Sequence, residues 1–408
     1  MVFNFQDTLF ALSGALDCVE HEVFGVAINH GKRVTAVAVA MARELTLPRT
    51  QLQALSACAI LHDCALTEYV QQEFGGSAIL AAQSTEPARL GIHCWMGELA
   101  LRTLPYEAEL TDNVVLYHHE CADGSGPFGK KAAETPLYAR LIHLADTLDT
   151  RFDLSFMNEE KFAAIESYLE ENEGLLFEPQ LCRLFLRVFE QDGLTGLRNE
   201  KIDLRLRELL PAGNMLCTPD QLIAFGAVFA AITDYKSRFT RVHSMGIAQK
   251  ARQMAEYYGA DQETAARMYL AGSLHDIGKL VVDRDVLEKP DALSDSEYRH
   301  IQTHVYHTYQ ILSEVQGLED VTRWASLHHE KLDGTGYPFG YKGDRLDRWE
   351  RMMGCLDIYQ ALTEERPYKN GMTHGEAMGL LGKMAAGGKL DGDIVADIDS
   401  LFGGNASA

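Results

Sequence analysis

The strongest constraint on what this 408-residue chain can fold into is an order of histidines and aspartates that it spells out twice. Residues 30–146 run His30-Gly31-Lys32-Arg33-Val34, Leu61-His62-Asp63, Gly91-Ile92-His93, Tyr117-His118-His119-Glu120, Asp123-Gly124-Ser125-Gly126 and Ala145-Asp146. Residues 243–357 repeat the order as His243-Ser244-Met245-Gly246-Ile247, Leu274-His275-Asp276, Gln302-Thr303-His304, Leu327-His328-His329-Glu330, Asp333-Gly334-Thr335-Gly336 and Leu356-Asp357. The step from His30 to His62 is 32 positions, and so is the step from His243 to His275. A repeat this long is a whole domain rather than a solenoid unit. A loop-forming cluster, Pro211-Ala212-Gly213-Asn214, marks the expected break, so the domains are read as residues 1–210 and 211–408.

Both domains read as helical. Alternating β-branched runs are rare, whereas Phe162, Ile165, Leu169 and then Leu175-Leu176 recur at three- to four-residue steps across Lys161 to Phe177. Thr218-Pro219-Asp220-Gln221 and Ser294-Asp295-Ser296-Glu297 are capping boxes that open helices. The fold class expected is therefore all-α, as two tandem helical bundles. Trp95 and Trp324 read as core residues, and His143 as either core or a neighbour of the first site.

Composition closes off several functions. A net charge of −22 makes duplex nucleic acid a poor partner. A small anionic substrate remains open, because bound cations supply local positive charge that the total misses. The cysteines at 18, 58, 64, 94, 121, 182, 217 and 355 show no C-x-x-C spacing. A zinc ribbon and a secreted disulfide framework are thus disfavoured, and buried thiols are the expectation. No apolar stretch approaches the ~20 residues of a membrane span, and the N-terminus lacks a basic start, so a cytoplasmic protein is expected.

His243, His275, Asp276, His304, His328, His329 and Asp357 are spread over several helices, which a bundle can aim at one interior point. One histidine of this kind would ordinarily be a core or surface residue. Adjacent His-Asp and His-His pairs, matched in both copies, argue for ligands instead. Neighbouring helical residues diverge by ~100°, so His275 and Asp276 share a target only if it is wide. Two cations ~3.5–4 Å apart, bridged by the Asp276 carboxylate, are wide enough. Imidazole and carboxylate without thiolate suit iron or manganese better than a closed zinc site.

The segments His275-Asp276-Ile277-Gly278-Lys279, His328-His329-Glu330, Asp333-Gly334-Thr335-Gly336-Tyr337-Pro338 and Arg366-Pro367-Tyr368 resemble the signatures of the HD-GYP family, a branch of the HD-domain metallophosphohydrolases. The resemblance covers roughly residues 220–380. It implies a metal-dependent phosphodiesterase of cyclic di-GMP or 3′,3′-cyclic GMP-AMP, the latter being the substrate of some tandem members. By the same resemblance His243, His275 and Asp357 serve one ion, and His304, His328 and His329 the other, with Asp276 between them. Lys279 would meet a phosphate oxygen, Arg366 and Tyr368 would face substrate, and Tyr337 would pack or contact ligand. Two departures stand out. Phe239 replaces a carboxylate found in three-metal relatives, so two ions are expected, and Gln360 replaces an aspartate three residues after the late metal aspartate.

The first copy keeps His30, His62, Asp63, His93, His118, His119 and Asp146 as a second possible metal site. It has Leu66 at the lysine position, Gly126-Pro127-Phe128 in place of the Tyr-Pro loop, and no Arg-Pro-Tyr. The expectation is a domain that holds metal but hydrolyses nothing; the competing view is a decayed copy with buried histidines. Two further functions compete with the phosphodiesterase: an HD-type phosphohydrolase of dNTPs or (p)ppGpp, and a non-catalytic cyclic dinucleotide receptor or adaptor. Signalling partner proteins are conceivable in any of these roles.

Overall fold

Helix ends, more than helix interiors, carry the important residues of this chain. The computed structural model describes residues 2–75, 77, 87–104, 106–190, 193–210, 215–236, 243–289, 291–365 and 370–405. By contacts it divides into two units, Asn4–Asn214 and Met215–Ala408, the second also taking Met1–Phe3. The expected break at 211–214 lies outside the described residues.

The N-terminal unit is built from α1 (Phe5–Phe24), α2 (His30–Glu44), α3 (Arg49–Ile60), α4 (Leu66–Phe74), α5 (Pro87–Leu101), α6 (Leu137–Phe152), α7 (Glu159–Asn172), α8 (Pro179–Phe189) and α9 (Ile202–Leu209). Helix α2 is buried from His30 to Ala42 and packs on α1, α3 and α6. It even takes a guanidinium inside. Arg33 is fully buried and grips Asp149 on α6 through Nε at 2.7 Å and Nη2 at 2.9 Å.

In the C-terminal unit a two-residue strand β1 (Val2–Phe3) pairs antiparallel with β2 (Met215–Leu216). The helices α10 (Pro219–Tyr235), α11 (His243–Tyr257), α12 (Gln262–Leu274), α13 (Asp295–Ser313), α14 (Glu319–Ser326), α15 (Arg348–Thr363), α16 (His374–Ala386) and α17 (Gly392–Phe402) follow. Helix α12 lies against α10, α11 and α14, while α13 packs on a 3₁₀ turn, Ile277–Val281. Among the described residues the all-α expectation holds apart from the β1–β2 pair and two isolated bridges, Glu173 with Phe177 and Asp333 with Lys342. Both capping boxes form: the Thr218 hydroxyl accepts from Gln221 N at 3.2 Å, and Ser294 Oγ accepts from Glu297 N at 3.3 Å.

Two sequence expectations fail locally. Helix α7 stops at Asn172, because Gly174 takes a left-handed φ of 78° and turns the chain before Leu175. Trp95 is 55% exposed rather than core, since α5 buries the opposite face through His93 and Cys94. Trp324 is buried as expected.

The packing of the 3₁₀ turn on α13 depends on one missing side chain. A Cβ on Gly278 would lie 2.0 Å from the His304 carbonyl oxygen and 2.8 Å from Thr308 N. Backbone cannot yield as a flexible side chain can. Gly278→Ala is therefore expected to destabilise the C-terminal unit by about 1–3 kcal/mol or more. Urea unfolding followed by Trp324 and Trp349 fluorescence measures this, and an unchanged midpoint would show that the close approach is not required.

Candidate metal centre

The adjacent pairs meet one target because they sit where helices stop. Helix α12 ends at Leu274, and Asp276 opens the 3₁₀ turn that follows, so His275 and Asp276 escape the divergence of a continuous helix. His328 and His329 likewise follow the end of α14 at Ser326. His243 begins α11, His304 lies within α13 and Asp357 within α15.

Each imidazole is aimed by its far nitrogen. Nδ1 lies 2.7 Å from Gly272 O in His275, 2.6 Å from Ile301 O in His304 and 2.6 Å from Ala325 O in His328. A carbonyl only accepts, so Nδ1 carries the proton and Nε2 keeps its lone pair. Those three Nε2 atoms, with Asp276 Oδ1, are buried and lack a hydrogen-bond partner. Buried polar atoms are normally satisfied, so an inward set of orphaned lone pairs fits cation binding.

The donors face each other in two groups. Asp276 Oδ2 lies 3.1 Å from His275 Nε2 and 3.9 Å from His243 Nε2, while Oδ1 lies 3.2 Å from His304 Nε2. Asp357 spans His243 Nε2 at 3.3 Å and His329 Nδ1 at 3.6 Å. Ligand atoms of His243, His275 and Asp276 lie within 4.8 Å of one another, and so do those of His304, His328 and His329. Asp276 thus touches both groups. Burial works to raise its carboxyl, but positive charge beside it, the Lys279 ammonium included, holds Asp276 well below the usual carboxylate range. Burial pushes the His329 imidazole down to about 3, which favours its neutral form.

Lys279 sits in the 3₁₀ turn with its ammonium on Asp276 Oδ2, and its side chain is 21% exposed. Tyr337 lays its ring on His329 with centroids 4.8 Å apart. Arg366 and Tyr368, together with Phe239, lie outside the described residues.

Sequence reasoning assigned no role to four supporting carboxylates. Glu364 accepts from His243 Nδ1 at 2.8 Å, the service that an aspartate at position 360 would otherwise give; Gln360 instead accepts from Lys250 Nζ at 2.7 Å. In the first copy Asp149, three residues after Asp146, does this for His30 at 2.6 Å. Glu330 gathers the loop after Tyr337, accepting from Phe339 N at 2.8 Å, Gly340 N at 3.1 Å and Tyr341 N at 2.9 Å. Asp234 on α10 caps the start of α11 through Ser244 N at 2.9 Å. Motif spacing signals Glu330, through the His-His-Glu run in both copies, and Asp149, at the position that Gln360 takes in the second copy.

The N-terminal unit assembles its counterpart set. His30 Nε2 lies 3.2 Å from Asp146 Oδ1, and Asp63 Oδ1 lies 3.2 Å from His93 Nε2 and 3.4 Å from His118 Nε2. His119 Nδ1 is 4.0 Å from Asp146 Oδ2, and His62 Nε2 is 3.9 Å from Asp146 Oδ1. A cavity of about 140 Å³ is lined by Glu20, His30, Asp63, His119, Asp146 and Thr150. Leu66 is fully buried in the core. His143 is buried beside Phe177, with ring centroids 5.4 Å apart.

The HD domain family matches residues 227–394 and, a second time, residues 27–151. A 3′3′-cGAMP-specific phosphodiesterase of Vibrio cholerae is 30% identical over 96% of this chain and 90% of its own length. The chain belongs to the HD-GYP family. A cyclic di-GMP phosphodiesterase of Pseudomonas aeruginosa is 33% identical, over only 34% of this chain and 34% of its own. The crystal structure of a cyclic GMP-AMP-specific phosphodiesterase of V. cholerae shares the fold, with a TM-score of 0.67, 22% identity and coverage of 99% of this chain and 98% of that one. Among the described residues no helix is long and apolar enough to cross a membrane. The tandem HD-GYP layout accounts for the repeated histidine order.

Outer partners of a ligand histidine fix its orientation, and their loss typically lowers metal affinity by roughly 10–100-fold. Glu364→Ala is expected to lower manganese affinity of the full chain by about that factor. Gln360→Ala, which removes no hydrogen-bond partner of a ligand histidine, should leave it unchanged. Chelator competition measures both, and equal affinities for the unaltered chain and Glu364→Ala would remove Glu364 from the account.

Proposed function

We propose that this chain is a metal-dependent phosphodiesterase that hydrolyses a 3′,3′-cyclic dinucleotide in its C-terminal unit, with 3′,3′-cyclic GMP-AMP as the preferred substrate. The observation that carries the reading is the ring of buried, orphaned histidine Nε2 atoms around Asp276, with a lysine ammonium beside it. Substrate preference is supported by extent. One relative named for 3′3′-cGAMP matches across both domains and another over 35% of the chain, whereas relatives named for cyclic di-GMP match 33% to 45% of it. The linear dinucleotide, and then mononucleotides, are the products.

His243, His275 and Asp357 would hold one divalent ion, His304, His328 and His329 the second, and Asp276 would bridge them. Iron or manganese suits this donor set. Such a pair supplies an activated water at neutral pH and neutralises charge on the phosphoryl oxygens. The protein's own residues do the rest. Backbone carbonyls at Gly272, Ile301 and Ala325 keep three rings in the required tautomer and orientation. Lys279 is placed to donate to a non-bridging phosphate oxygen, a contact that strengthens as charge builds in the transition state. The water oxygen bonds to phosphorus in line and gives up a proton, the bond to the leaving 3′-oxygen breaks, and that oxygen takes up a proton as a hydroxyl, so one water is consumed per bond cleaved. Arg366 and Tyr368 are proposed to contact the nucleotide, and Tyr337 to brace His329.

The N-terminal unit is proposed to bind metal without turnover. Its donor set is assembled, but buried Leu66 cannot donate to phosphate. The domain limits proposed are 1–210 and 211–408, and the protein is read as cytoplasmic.

Purified full chain with manganese or iron(II) should hydrolyse 3′,3′-cyclic GMP-AMP faster than cyclic di-GMP, as read by product chromatography. His275→Ala should abolish turnover, while His62→Ala should leave catalysis in place. Lys279→Leu should lower kcat by roughly 10²–10³-fold. Turnover that survives in His275→Ala, or failure to cleave any cyclic dinucleotide, would overturn the proposal.

A further inference from the structure

The two donor sets differ at one position that spacing alone treats as filler. His304 is followed by Val305, fully buried against the core, whereas His93 is followed by Cys94, buried beside the first copy's donors. Ligand atoms of His93, Cys94, His118 and His119 all lie within 4.8 Å of one another. We propose that the N-terminal unit holds a zinc-type cation on His93, Cys94, His118 and His119, a thiolate-containing site unlike the imidazole and carboxylate site of the C-terminal unit.

Geometry supports the thiol as a ligand. Tetrahedral zinc with ordinary bond lengths places sulfur and nitrogen about 3.5 Å apart. Cys94 Sγ lies 3.6 Å from His93 Nε2. His118 supplies an independent pointer: its Nδ1 lies 2.6 Å from Val115 O, which leaves Nε2 as a lone pair, and that atom is buried without a hydrogen-bond partner. Asp63 Oδ1, also buried and unpartnered, lies 3.4 Å from it and faces the same point.

Chemistry then separates the two units. Three imidazoles and one thiolate already supply the four donors that a tetrahedral ion takes. The matching group in the C-terminal unit, His304, His328 and His329, has a valine where the thiol would be and so has one donor fewer. A soft thiolate selects zinc over manganese, so each unit would take a different metal from the same pool. The first copy thereby becomes a structural element whose ion ties α5 to the turn bearing His118 and His119. Loss of Lys279's counterpart is consistent with an ion whose four donors come from the chain. This inference goes beyond the proposal that the N-terminal unit binds metal and rests on it.

Cobalt(II) substitution distinguishes the two levels. Full chain produced with cobalt as the supplied metal should show a thiolate-to-cobalt charge-transfer band in the near ultraviolet. Cys94→Val, which installs the residue of the second copy, should abolish the band, and Cys64→Ser, adjacent to Asp63, should retain it. The unaltered chain is decisive even if a variant folds poorly. Cobalt is also counted in the His243→Ala/His328→Ala chain, whose C-terminal donors are depleted. Cobalt retained there without the band overturns thiolate ligation but leaves N-terminal metal binding intact. No cobalt retained there and no band in the unaltered chain overturns both.

Discussion

Everything at the proposed centre depends on hydrogen bonds made on the side of the histidines away from it. A carbonyl one turn back takes the Nδ1 proton of His275, His304 and His328, and a carboxylate does so for His243. Without those partners a buried imidazole could flip, change tautomer or take a proton. With them, lone pairs converge on Asp276, and the protein accepts a group of unsatisfied buried nitrogens that would otherwise be costly. Such a cluster is tolerable in a folded chain when a cation completes it.

Much of this was legible in the sequence because the repeat supplies two readings of one arrangement. His62-Asp63 and His275-Asp276, or His118-His119 and His328-His329, validate each other in a way that no single histidine could. What spacing could not show was how adjacent residues reach one point. The helix ends at Leu274, and the polypeptide changes to 3₁₀ geometry just as Asp276 enters. The starts of α10 and α13 were written in their capping boxes, but this ending carries neither a terminal glycine nor a proline.

Supporting residues were harder to read for a different reason. Gln360 looks like the loss of a buttress, yet Glu364, one helical turn further on, reaches the same imidazole nitrogen. Substitution in space need not preserve position along the chain. Cys94 and Trp95 show the converse problem. Composition classes both as core, whereas the orientation of α5 turns Cys94 toward the donor cluster and Trp95 toward solvent. The two copies thus share a frame and differ in a few side chains: Lys279 against Leu66, Val305 against Cys94, Glu364 against Asp149. Those differences give one frame two donor sets of different chemistry.

Anomalous diffraction from crystals of the full chain grown with manganese tests the central claim most directly. The account predicts two peaks in the C-terminal unit, one on each side of the Asp276 carboxylate and both within coordination distance of histidine nitrogens. A single peak elsewhere, or none within reach of His275 and His304, would contradict it.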